Sequence, residues 1–253
     1  MNMSFLVSNG NGFFLDTSMC SHEALMDLLQ LEAAPGFIPD NISTDIQEAH
    51  WRLLVSWMYE ACSAFKVNPS VFQLAVLLLK KRMDVSYIDK KNYQIQAATS
   101  IFIASKLHDY QHIRVKHLTF YCGSYFATKE LLEEELNFLQ MLNHKLLTPL
   151  PCEFLSCFMV AILPTLKDSW LKIVEEFTIL IARVLCQSTL LRHRPSLLSA
   201  AALIIVLENI ATTSTDLEEI KYRLSILIRV SVLELDKETQ VISDLPPLQK
   251  IDG

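Results

Sequence analysis

The stretch Tyr93–Asp109, YQIQAATSIFIASKLHD, constrains this chain more than any other. It predicts a buried helix with small residues at Ala97, Ala98, Ser100 and Ala104 and one cation, Lys106, near its C-terminal end. Small side chains let neighbouring helices approach closely, so this helix is the expected hub of an all-α domain. A Lys in the last turn is favoured by the helix dipole. It also sets a positive charge at the rim of an apolar surface, where a partner protein could use it. Further on, a helix over Glu130–Met141 carries the consecutive acids Glu133, Glu134 and Glu135.

Composition matters where it excludes. Apolar residues make up 51% of the 253 residues, ample for a core and too rich for disorder. Five glycines are few for an α/β enzyme with phosphate loops. A net charge of −6 argues against nucleic acid as a partner. The six cysteines are scattered without C-x-x-C spacing and sit in apolar helical patterns, as free thiols inside a cell do. The first Lys or Arg is Arg52, so a secretory signal would lack its charged start. The longest apolar run, Leu197–Leu207, is short of a membrane span.

Punctuation along the chain predicts the order of helices. Residues 1–20, with Asn9-Gly10-Asn11-Gly12, read as a loose arm. Ser21 caps a short helix bearing Leu25, Leu28 and Leu29, which Pro35-Gly36 and Pro39 end. Ser43 or Thr44 opens a long helix to about Phe65, with Ile46, Leu53, Leu54, Trp57, Met58 and Ala61 on one face. Of Trp51 and Trp57, one is expected in the core and the other at the surface. Asn68-Pro69 caps and starts the next helix, to Met83. The hub follows from about Lys90 to Leu107, then a short helix Val115–Cys122 stopped by Gly123, then the acidic helix capped by Thr128. Pro149 and Pro151 mark a boundary. Five more helical segments follow: Pro151–Leu163, Ser169–Cys186, Pro195–Ile210, Asp216–Ile228 and Val230–Ser243. SAAALIIVLEN at Ser199–Asn209 echoes QAATSIFIASK roughly a hundred residues earlier, which suggests a duplicated five-helix unit. Asn209 stands where the first copy has Lys106, so any site at Lys106 belongs to the first half alone.

No catalytic signature is present: no phosphate loop, no nucleophile elbow and no H-E-x-x-H. His108, His112 and His117 are the best metal candidates, yet they read as a solvated loop because only Asp109 could complete a set. No cofactor is expected. The run Glu133–Glu135, taken alone, reads as a solvated face.

Together these segments resemble the cyclin family. The first-helix pattern M-R-x-I/L-L-x-x-W has its counterpart in HWRLLVSW at His50–Trp57, and L-D-R-x-L in LKKRM at Leu79–Met83. The hub motif A-S-K is Ala104-Ser105-Lys106, and E-L-L-x-x-E-x-x-x-L is ELLEEELNFL at Glu130–Leu139. These motifs are collinear, with Pro149 where the family opens its second box. The pattern is similar to D-type-like cyclins and to gammaherpesvirus-encoded ones in particular. It lacks the L-x-C-x-E motif of D-type cyclins and a mitotic destruction box. The resemblance implies an all-α fold of two tandem five-helix cyclin boxes with an extra N-terminal helix. The expected segments are 1–42 for the arm and helix, 43–148 for the kinase-binding box and 149–253 for the second box.

The resemblance also implies a function. A cyclin is not an enzyme; it activates a cyclin-dependent Ser/Thr kinase by docking on its mobile helix and pressing it inward. It makes this chain the partner of such a catalytic subunit, of the kinase 2 type or the 4/6 type, driving G1/S progression for a virus. By position, Lys106 and Glu135 are the charges gripping the kinase, with Leu107, Leu139, Leu142, His144 and Leu146 around them. His144 replaces an aromatic residue. Leu25, Leu28 and Leu29 supply a further kinase contact. A patch for R-x-L substrates and inhibitors falls on His50, Leu53, Leu54, Trp57, Glu60 and Gln94, weakened because His50 replaces a Met. Trp51 and Lys80 replace an Arg and an Asp that pair in the family, and the expected substitute is packing of Trp51 on the Lys80 stem. The expected location is the nucleus or cytoplasm of the host cell, away from membranes and nucleic acid. The alternative is a transcription-type adaptor of the same fold that binds DNA and protein.

Overall fold

The computed structural model describes residues 6–7, 15–16, 21–34, 46–162, 169–210 and 214–248. The described residues hold eleven α-helices. They are α1 His22–Glu32, α2 Glu48–Phe65, α3 Pro69–Val85, α4 Tyr93–His108, α5 Val115–Tyr121 and α6 Thr128–Met141. After these come α7 Pro151–Ile162, α8 Trp170–Leu185, α9 Pro195–Asn209, α10 Ser214–Ile228 and α11 Val232–Ser243. The arm is not wholly irregular: β1, Leu6–Val7, pairs antiparallel with β2, Leu15–Asp16, in the register Leu6↔Asp16 and Val7↔Leu15. By contact density the chain divides into two units. One comprises residues 38–148, 185–189 and 248–253, the other 1–37, 149–184 and 190–247.

The first unit is built around α4. Every residue from Gln96 to Ser105 is buried, and α2, α3, α5 and α6 all pack on this helix. Its hydroxyls are satisfied within the helix: Thr99 Oγ1 donates to the Ile95 carbonyl at 2.7 Å and Ser100 Oγ to the Ala97 carbonyl at 2.8 Å. A buried helix can therefore carry polar residues at little desolvation cost. The helix begins at Tyr93, after a single tight turn over Lys90–Asn92 capped by Asp89. At α3, the Asn68 side chain accepts the Ser70 N–H at 3.0 Å and Pro69 takes the first helical position. At α6 the cap differs from expectation. Thr128 is already helical, and Glu130 reaches back to accept the Ala127 N–H at 2.6 Å.

The apolar residues of α2 divide between two faces. Trp51, Val55, Met58, Ala61 and Cys62 face the core, whereas Leu53 is 50% exposed. The helix is apolar over so wide an arc that periodicity alone does not choose its inner side; the large indole of Trp51 does. Trp51 is fully buried, and its Nε1 donates to the Leu185 carbonyl at 3.0 Å. The same short segment is held twice more. Arg52 Nη2 donates to Gln187 Oε1 at 2.6 Å, and the Glu48 carboxylate accepts both the backbone N–H, at 3.1 Å, and the hydroxyl of Ser188.

Lys80, for its part, is paired one turn on with Asp84 inside α3, with both side chains nearly buried. Where the resemblance implies an ion pair between helices, Lys80 has an ion pair within its own helix and Trp51 an indole hydrogen bond to Leu185. Lys80→Asp would set a second carboxylate against Asp84, so restoring the family pair would require a change at Asp84 as well.

The second unit repeats the plan. All but one of the residues of α9 from Pro195 to Leu207 are buried, and α7, α10 and α11 pack on it. Ser199 Oγ donates to the Pro151 carbonyl at 2.9 Å. Helix α1, capped by Ser21, lies on α7. The buried carboxylate of Glu32 at its end accepts Arg194 Nε at 2.9 Å and the Ser196 N–H and hydroxyl, each at 2.7 Å. Asn209 is the exposed last residue of α9.

His193 Nδ1 lies 2.8 and 2.9 Å from the two oxygens of the buried Glu238. The hydrogen bond to Glu238 raises the imidazole pKa above its ordinary value, against the opposing effect of burial. A raised folded-state pKa stabilises the fold below the unfolded value, and that stabilisation is lost as pH rises through the folded one. Between about pH 6 and about pH 8, the melting temperature of the wild type is expected to fall more steeply than that of His193→Gln. Parallel curves for the two proteins would show that this pair does not titrate across folding.

Candidate partner-docking surfaces

The first candidate surface is built from the end of α4 and the outer side of α6. Ala104 and Ser105 are both fully buried, and they set the direction of the lysine that follows. Ser105 Oγ donates to the Phe102 carbonyl at 2.9 Å and accepts the Ile113 N–H at 3.3 Å, turning the chain back after the helix. The Asp109 N–H closes the helix on the Ser105 carbonyl at 3.1 Å. Its carboxylate accepts the Asn68 N–H at 2.9 Å and the Gln111 N–H at 3.0 Å. With its neighbours fixed on both sides, Lys106 emerges at a defined point. Its ammonium donates to both oxygens of Glu135, at 2.6 and 2.8 Å, and lies 3.9 Å from the centre of the Phe102 ring.

The three consecutive acids divide their tasks. Glu133 pairs with Lys129 in solvent, Glu134 accepts the Gln96 amide at 2.6 Å, and Glu135 holds Lys106. A solvated face describes Glu133 alone. The Lys106–Glu135 pair is partly exposed, so it contributes only about 0–1 kcal/mol to folding. Its setting is the more informative feature, because α4, α6 and the chain after α6 also expose leucines. Leu107 is 52% exposed, Leu136 56% and Leu147 84%, with Leu132 exposed as well. Leu139 and Leu146 are half-buried, and His144 is exposed on a left-handed backbone with φ 56°.

Sequence reasoning misses Leu132, Leu136 and Leu147. The signal was there: Leu131 and Phe138 supply the buried stripe of α6, so leucines off that stripe have no core to face. Conversely, Leu142 is buried, because the chain turns back after Met141 and its N–H closes on the Phe138 carbonyl at 3.2 Å. Leu25 and Leu29 are also buried, in the core of the second unit, where α1 packs on α7. On α1, Leu28 is half-buried and Leu31 exposed. Leu25, Leu29 and Leu142 are thus engaged in packing within their own units, whereas Leu132, Leu136 and Leu147 are exposed.

A second surface runs along α2. His50, Leu53, Leu54, Trp57 and Glu60 recur at helical spacing on one side; apart from the exposed Leu53 they are half-buried, as is Gln94 in the first turn of α4. The Trp57 ring lies 6.3 Å from that of Tyr121, which lies 5.4 Å from that of Phe65, so the patch ends on an aromatic wall. His50 is less accessible than a solvent-pointing imidazole: its Nδ1 is buried without a hydrogen-bond partner.

Other candidate chemistry is not assembled. Among the described residues no three His, Cys, Asp or Glu side chains cluster as metal ligands. His108 is half-buried, which lowers its imidazole pKa. Burial pushes the Cys122 thiol up to about 12 and the Cys186 thiol to about 11, far from nucleophilic use at neutral pH. Cys20 lies outside the described residues. Among the described residues, no helix is long and apolar enough to cross a membrane.

Comparison with known proteins adds three kinds of match. The family described as cyclin, N-terminal domain, matches residues 25–147. A cyclin homolog of Saimiriine herpesvirus 2 (strain 11) is 27% identical over 167 residues, 66% of this chain and 65% of the relative. Cyclin-A2-2 of Arabidopsis thaliana is 24% identical over 65% of this chain and 38% of its own length. The matched part thus spans less than two thirds of either relative. A G1/S-specific cyclin-D1 of Danio rerio is 24% identical over 80% of this chain and 70% of its own. The X-ray structure of a viral cyclin from herpesvirus saimiri superposes with a TM-score of 0.78 at 23% identity, covering 87% of this chain and 95% of that one. A chain of the CAK complex of Chaetomium thermophilum, bound to ATP-gamma-S, superposes with a TM-score of 0.58 at 16% identity, over 91% of this chain and 74% of that one. At such identities the two structures establish the fold.

Proposed function

We propose that this chain, whose residues 25–147 match the cyclin N-terminal domain, acts as a cyclin that binds and activates a cyclin-dependent Ser/Thr kinase. Cyclins are regulatory subunits and not catalysts. The proposed role is to promote G1/S progression in a host cell, from the nucleus or cytoplasm, as an activator of the kind herpesviruses encode. The observation that carries this reading is the Lys106–Glu135 pair set among exposed leucines. An apolar surface with one charged clamp suits the mobile helix of a kinase, which needs both burial and a fixed register. Docking there presses that helix inward, closes the Lys–Glu ion pair of the kinase and frees its activation loop. The similarity to a viral cyclin and to G1/S-specific cyclins supports the reading. The test is to mix the purified chain with individual cyclin-dependent kinases and assay histone and retinoblastoma-protein phosphorylation. A one-to-one complex with raised kinase activity is expected; no stimulation of any such kinase would overturn the proposal.

The α2 patch is proposed to take R-x-L segments of substrates and inhibitors, with Leu53, Leu54 and Trp57 holding the peptide Leu and Glu60 facing its cation. His50 brings a buried nitrogen without a partner to this apolar patch. Restoring even one buried methylene is worth about 0.8 kcal/mol, roughly fourfold in affinity. His50→Met is therefore expected to bind an R-x-L peptide several-fold more tightly by calorimetry. Equal affinities would show that His50 lies outside the peptide path.

A further inference from the structure

The turn between α4 and α5 forms a cavity of about 570 Å³ that the kinase reading leaves unused. Phe65 and Tyr110 supply aromatic surface, while Gln111, His112, Arg114 and His117 supply hydrogen-bond donors. No carboxylate lines the cavity. Asp109, the nearest acid in sequence, is turned away onto the backbone N–H groups of Asn68 and Gln111. Among the described residues, the Arg114 guanidinium makes no ion pair, and neither imidazole is bonded to a carboxylate. In a chain of net charge −6, a hollow lined by donors and one permanent cation is a local reversal of sign. A metal cation is a poor occupant, because Arg114 would repel it. An anion with several acceptor oxygens matches the donors, and a planar guanidinium binds phosphate oxygens two at a time.

We propose that this cavity binds a phosphorylated serine or threonine in an extended segment of a partner protein. The phosphate would sit against Arg114, His112 and His117, with the flanking chain on Phe65 and Tyr110. The choice of a phosphorylated protein over another anion rests on the proposed function, since a Ser/Thr kinase held by this chain would make that group close by. The cavity then acts as a second anchor, keeping a once-phosphorylated substrate near the kinase for further rounds.

The test uses the full chain without kinase. A fluorescent degenerate peptide pool centred on phosphoserine is compared with its unphosphorylated twin by polarisation, with phenyl phosphate as competitor. The expected result is at least tenfold preference for the phosphorylated pool, reversal by phenyl phosphate, and a tenfold or greater loss in Arg114→Gln and in His117→Gln. Both positions are exposed, and a circular-dichroism melt verifies the fold of each variant. Equal binding of the two pools overturns the proposal, as does phosphopeptide binding that both variants retain. Tighter binding of a fluorescent oligonucleotide, lost in the same variants, would assign the cavity to nucleic acid instead. Kinase stimulation is read separately: a kinase-activating chain that ignores phosphopeptides removes only this inference. A phosphopeptide-binding chain that activates no kinase removes only the proposed function.

Discussion

Exchanging the charges of Lys106 and Glu135 is expected to abolish kinase capture while leaving the fold intact. The two side chains hold each other at 2.6 and 2.8 Å, so Lys106→Glu with Glu135→Lys preserves an internal ion pair of the same kind. What changes is the polarity shown to a partner. Truncating one member of a desolvated charged contact at an interface costs about 2–5 kcal/mol, and reversal adds repulsion. Co-purification with the kinase should therefore fall by well over tenfold, whereas the melting temperature should stay near that of the wild type. Each single reversal should weaken binding and also break the internal pair. If the exchanged protein captured kinase as well as the wild type, the pair would be structural and the docking site would lie elsewhere.

Trp51→Ala is expected to be the most damaging single change to the fold. The indole is fully buried and its Nε1 holds the Leu185 carbonyl. Removing a buried Trp side chain costs about 3–5 kcal/mol. The carbonyl left unpaired adds about 1–3 kcal/mol unless water enters. Trp51→Phe keeps most of the volume and loses only the N–H, so it should cost less than half as much. Urea unfolding of the three proteins separates the two contributions. Similar losses in Trp51→Phe and Trp51→Ala would assign the effect to the hydrogen bond and not to packing.

The two buried hubs were legible in the sequence because a helix apolar on every side has only one place to go. The caps at Ser21 and Asn68-Pro69 were legible because their chemistry is local. Errors arose where two faces of one helix are both apolar. On α2, the stripe holding Leu53 and the one holding Trp51 look alike in periodicity, and only the tertiary partner at Leu185 decides between them. The burial of Leu25 and Leu29 was not legible for the same reason: an amphipathic helix does not say whether its apolar face meets its own chain or another. The replacement of the family ion pair was half legible, since the loss of both members could be read directly, but not that Asp84 compensates Lys80. His112 and His117 were visible as loop histidines, while Arg114 beside them and the cavity they line depend on where Phe65 ends α2.

The segment 185–189 gives the N-terminal unit a schedule. Trp51, Arg52 and Glu48 each reach a hydrogen-bond partner in Leu185, Gln187 or Ser188. On a ribosome, residues 38–148 emerge well before those partners exist. At about 5–20 residues per second, the wait from residue 148 to residue 189 is roughly 2 to 8 s. Through that interval the Trp51 indole has no Leu185 carbonyl to bond, and its unit lacks a piece of its wall. A fragment ended at residue 148 would stay in that unfinished condition, so an expression boundary drawn between the two halves of the sequence would cut through one unit's core. Until residues 185–189 are made, the three hydrogen bonds that tie α2 to them cannot form.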